Sequence, residues 1–60
     1  METLMTGAEL AARLGVSVET VRWWRKQGTG PRAIKVGRRV FYSERDVRLW
    51  TDKHREPVSA

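Results

Sequence analysis

Sixty residues with no cysteine and a single histidine leave a chain few ways to fold. A domain of this length buries only about 60% of the surface its unfolded form exposes, so its core must be small. Neither a disulfide framework nor a Cys/His zinc site can add the missing stability. Helix packing and a small hairpin have to carry the fold, and the caps and glycines mark where each element begins and ends.

The first helix is announced by Thr6-Gly7-Ala8-Glu9, a capping box in which Thr6 accepts from the amide of Glu9 while Glu9 reaches back to Thr6. It should run from about Gly7 to Leu14, with Leu10, Ala11 and Leu14 on one buried stripe, and small Ala8, Ala11 and Ala12 allow close approach by another helix. Gly15 stops it with an expected positive φ, and Val16 fills the gap between helices. Ser17 caps a second helix over about Val18 to Gln27, which ends at Gly28-Thr29-Gly30-Pro31. Projected at about 100° per residue, Val21 and Trp24 fall on one side and Glu19, Arg22, Trp23 and Lys26 on the other. One of the adjacent tryptophans must therefore face outward. For Trp23 the readings are contact with a sugar-phosphate backbone, packing on the hairpin or last helix, or self-association.

From Ile34 to Tyr42, β-branched and aromatic residues flank a glycine, which predicts a hairpin turning near Gly37-Arg38. A two-residue loop would set Ile34 opposite Phe41 and Lys35 opposite Val40, whereas a longer loop would shift the pairing, so the register stays open. Arg38 and Arg39 sit at the tip in either case. Ser43-Glu44-Arg45-Asp46 then opens a last helix, capped by Ser43, with Val47 and Trp50 on its buried face. Lys53, His54 and Arg55 follow near its end and read as structural. The expected division is a flexible start over 1–5, one domain over 6–55 and a flexible tail over 56–60.

Charge is distributed unevenly over these elements. Between Thr20 and Ser43 lie seven basic residues (Arg22, Arg25, Lys26, Arg32, Lys35, Arg38, Arg39) and no acid, although the whole chain is only +5. A continuous basic block of this kind suits a polyanion, and duplex nucleic acid is the commonest one. The bland reading is a solvated charged face, or arginines that protect an exposed strand edge. No apolar run approaches the roughly 20 residues of a membrane span, and the start lacks signal-peptide features, so a cytoplasmic location is expected. The sequence has no metal-ligand cluster, no phosphate-binding glycine-rich loop and no nucleophile with a base. It is therefore read as a non-enzyme with no cofactor, metal or small-molecule ligand.

Leu14-Gly15-Val16-Ser17, Thr20-Val21-Arg22-Trp23-Trp24, Gly28, Pro31, Lys35-Val36-Gly37-Arg38-Arg39 and Asp46-Val47 with Trp50 together resemble the excisionase-type branch of the MerR-like winged helix-turn-helix domains. The resemblance runs from about Met5 to Arg55. It implies a mainly α fold with a small β-hairpin: helix-turn-helix, two-stranded wing and C-terminal helix. It also implies that the second helix enters a major groove while the wing grips the neighbouring minor groove or backbone. Ser17, Glu19, Thr20, Arg22, Trp23, Arg25 and Lys26 are then the expected helix contacts, and Lys35, Arg38 and Arg39 the wing contacts. Two positions depart from the pattern: Phe41 stands where relatives often carry another basic residue, and Thr51 where they often carry an apolar one.

MerR-like regulators continue into a dimerisation helix, whereas this sequence stops soon after its last helix, so no built-in sensor is expected. A lone small domain binds DNA weakly, and useful specificity then requires several copies on DNA or a protein partner. The role implied by the resemblance is that of a bacterial, phage or mobile-element recombination directionality factor, which coats repeated sites, bends DNA and steers an integrase toward excision. The alternatives are a small transcriptional regulator of the same fold and, from a different class, a protein-interaction adaptor.

Overall fold

The computed structural model describes residues 3–55. Among these the chain runs β1 (Leu4–Thr6), α1 (Gly7–Leu14), α2 (Val18–Gln27), β2 (Ala33–Val36), β3 (Arg39–Ser43) and α3 (Glu44–Lys53). The architecture is a winged helix-turn-helix, with three helices packed on a small antiparallel sheet of order β1-β3-β2.

Each helix begins where its cap residue stands. Thr6 accepts from the Glu9 amide at 3.1 Å while the Glu9 carboxylate accepts from the Thr6 amide at 3.0 Å, completing the capping box. Ser17 accepts from the Thr20 amide at 3.2 Å, and Ser43 accepts from that of Asp46 at 3.0 Å. Gly15 and Gly28 close α1 and α2 in the left-handed region, at φ 71° and 72°.

The structure settles the hairpin register. Ile34 pairs with Phe41 and Lys35 with Val40, which leaves a two-residue loop of Gly37 and Arg38. Gly37 has φ 61° and no non-glycine residue among those described has a positive φ, the pattern of a type II′ turn. Arg38 is thereby held at the outermost point of the wing.

The start of the chain departs from expectation. Leu4 and Met5, expected to be flexible, belong to β1, which pairs antiparallel with β3 and turns a two-stranded wing into a three-stranded sheet. Met5 lies opposite Tyr42, and Tyr42 lies opposite Ala33 on its other side. This cross-strand row faces the helices. Residues of one row share a face of the pleat, so Phe41, with Thr6 and Ile34 beside it, occupies the other face. The amide of Glu44 donates to the carbonyl of Thr3 at 2.9 Å and extends the tie to the start of α3. The expected tail, 56–60, and residues 1–2 lie outside the described residues.

Leu10 and Ala11 of α1, Val21 of α2, Met5 and Tyr42 of the sheet and Val47 of α3 form one buried cluster, flanked by half-buried Leu14, Val16, Val18, Trp24, Ala33 and Val40. Of the three alanines expected to ease helix approach, only Ala11 is buried, while Ala8 and Ala12 are exposed. Fully burying a Val, Leu or Met side chain contributes about 1.5–3 kcal/mol, so each such member matters in a core of six residues.

A second contact secures the far end of α2. The Trp50 indole N–H donates to the Thr29 carbonyl at 2.8 Å, and its ring lies 5.0 Å from that of Trp24. A Cβ on Gly30 would stand 2.8 Å from the Cβ of Trp24, so a glycine is needed for the loop to pass that close. The loop is thus clamped between α2 and α3, and the angle between α2 and the wing that follows is held from both sides.

Candidate nucleic-acid interface

With Val21 buried and Trp24 half-buried, the outward stripe of α2 consists of Glu19, Arg22, Trp23 and Lys26, all exposed. Their i, i+3, i+4, i+7 spacing places them on one face. Trp23 is 57% exposed, which removes packing on the hairpin or last helix as its role. Arg25 is exposed on the flank that looks toward Tyr42.

Ser17 and Thr20 stand at the N-terminal end of α2, where their hydroxyl oxygens lie 2.9 Å apart. Both oxygens are thus engaged with one another at the cap, and Thr20 is half-buried while Ser17 is exposed. On the wing, Lys35, Arg38 and Arg39 are exposed. Arg32 belongs to the same basic block but lines a different recess, with Asp46, Leu49, Trp50 and Lys53 on the α3 side.

The electrostatics separate two populations of charge. Among the described residues the ion pairs are Arg13–Glu44 at 3.6 Å, Arg48–Glu44 at 3.8 Å and Arg55–Asp52 at 2.8 Å. None involves a member of the basic block. Exposed pairs of this kind contribute about 0–1 kcal/mol, so they add little to stability, but they place a carboxylate beside Arg13, Arg48 and Arg55, three of the basic residues outside the block. Those inside it keep their full charge for an external anion.

Ten positions were expected from sequence to form the interface, and the structure brings three of them around one cleft: Arg22 and Arg25 from α2 and Arg38 from the wing turn. Trp23, Lys26 and Glu19 lie on the outer face, while Lys35 and Arg39 lie along the wing strands. Tyr42 also lines the cleft and was not among the residues picked from sequence. Burial pushes its phenol above the ordinary range, partly opposed by the positive charge of Arg25, so the hydroxyl stays protonated at neutral pH. Only the spacing of the hairpin from α1 could have marked it, and that spacing is a property of the tertiary fold.

Among the described residues, no group of three or more His, Cys, Asp or Glu could hold a metal ion, and no helix is long and apolar enough to cross a membrane. The His54 ring lies tilted against that of Trp50 with centroids 4.4 Å apart, and its Nδ1 lies 2.8 Å from the Trp50 carbonyl, a local contact at the end of α3.

A family model described as a helix-turn-helix domain matches residues 4–55, from β1 to just beyond α3. No curated protein and no solved structure matches the chain.

Proposed function

This chain belongs to the helix-turn-helix domain family, a DNA-binding class, and from that premise we propose that it is a recombination directionality factor of the excisionase type. In this reading α2 enters the major groove with Glu19, Arg22, Trp23 and Lys26 foremost, and Ser17 and Thr20 approach the duplex at the helix start. Lys35, Arg38 and Arg39 follow the neighbouring backbone or minor groove. The observation that carries the reading is the basic block, which apart from Arg32 is gathered on α2 and the wing with no ion pair among the described residues, while Arg13, Arg48 and Arg55 elsewhere are paired.

A domain of this size reaches only a few base pairs, and single small modules bury too little surface for tight, selective binding alone. Several copies on adjacent sites, together with an integrase, answer that need through effective concentration. The protein would act in the bacterial cytoplasm by bending and coating DNA, with the strand chemistry left to the integrase.

The test is selection of bound duplexes from a random library at about 150 mM salt, where loose phosphate attraction is already well screened. A short motif recurring in tandem direct repeats supports the excisionase reading. A single motif overlapping promoters would replace it with a transcriptional regulator of the same fold, and no enrichment would move a protein-interaction adaptor to the front.

A further inference from the structure

The cleft between the start of α1, the flank of α2 and the wing has a volume of about 340 Å³, and the charged residues that line it are Arg22, Arg25 and Arg38. No carboxylate lines it, and none of the three guanidinium groups takes part in an ion pair among the described residues. Three like charges gathered from two elements repel one another, and an anion seated among them would relieve that repulsion.

Two neutral features of the same wall point the same way. Tyr42 is 3% exposed, and its hydroxyl makes no hydrogen bond among the described residues. Tyr42 lines the cleft beside Arg22, Arg25 and Arg38, and among the described residues no sealed side-chain oxygen or nitrogen lacks a partner. A phenol O–H is a neutral donor, available to an anion seated beside it. Gly7 and Ala8 line the cleft as well, in the first turn of α1. The capping box engages the amides of Thr6 and Glu9 and leaves those of Gly7 and Ala8 without an intrahelical partner.

We propose that this cleft holds one backbone phosphodiester of duplex DNA, bound by Arg22, Arg25 and Arg38, the Tyr42 hydroxyl and the Gly7 and Ala8 amides, at the boundary between the grooves that α2 and the wing occupy. The proposal rests on the DNA-binding reading above and sharpens it. Arg22 and Arg25 become positioning contacts to phosphate, which leaves Glu19, Trp23 and Lys26 as the groups that meet base edges.

The test combines amide NMR with binding of a short duplex at low salt, which requires no knowledge of a preferred sequence. The Gly7 and Ala8 resonances should move along the binding isotherm. Tyr42→Phe keeps the ring in the core and should weaken duplex binding about 2- to 10-fold without changing the salt slope, because a hydroxyl carries no charge. Arg25→Gln and Arg38→Gln, both at exposed positions, should each lower that slope by about one. If the wild-type protein binds duplex while Gly7 and Ala8 stay still and all three variants bind as it does, the cleft is not the phosphate site and the DNA-binding reading stands. If inorganic phosphate moves these amides and duplex does not, the cleft takes a free anion, which overturns the proposal. Failure of the wild-type protein to bind any duplex removes the DNA-binding reading and this site together.

Discussion

Successive helix positions lie about 100° apart, so Trp23 and Trp24 cannot both face the core. Trp24 is half-buried with its ring tilted against that of Trp50, while Trp23 is 57% exposed on the outward stripe. An indole left in water on a helix that carries unpaired cations is better explained by an external partner than by packing. Trp23→Ala should shift the unfolding free energy by no more than about 0.5 kcal/mol, as for surface positions generally, and weaken duplex binding several-fold. Urea denaturation and fluorescence anisotropy read the two effects separately. A loss of stability above about 1 kcal/mol would return Trp23 to the core.

At the scale of elements, the helices and the wing follow from local chemistry: a hydroxyl cap, an apolar stripe and a glycine stop for α1 and α2, and a glycine-centred turn for the hairpin. Strand β1 has none of these signals. Three residues are too short to display alternation, and its pairing partner β3 lies more than thirty positions along the chain. Its worth is instead tertiary, because Met5 sits in the buried cluster opposite Tyr42. Met5→Ala should cost about 2–5 kcal/mol, the range for large-to-small changes in a core. Urea unfolding measures this directly, and a decrease below about 1 kcal/mol would mean that β1 is dispensable to the core.

For the whole molecule, a net charge of +5 understates the field that a polyanion meets, because the acidic residues all lie outside the stretch that carries the basic block. The wing contributes Arg38 and Arg39 to that field at positions where neither supports the fold. Replacing both by alanine should therefore lower the slope of log affinity against log salt by about one for each phosphate that the wing no longer neutralises, with base preference largely retained. A slope equal to that of the wild-type protein would take the wing off the DNA.

The sequence alone determined the helix boundaries, the outward stripe of α2, the position of the wing turn and the basic block, because caps, periodicity and turn glycines act over a few residues. The family resemblance carried by those elements also implied the winged helix-turn-helix. The tertiary structure decided the hairpin register, the third strand, the inclusion of Tyr42 in the candidate site and the meeting of Arg22, Arg25 and Arg38 across one cleft. Each of these depends on which distant segments come together. That choice is made by burial of a shared core over long separations, and no local pattern of residues encodes it.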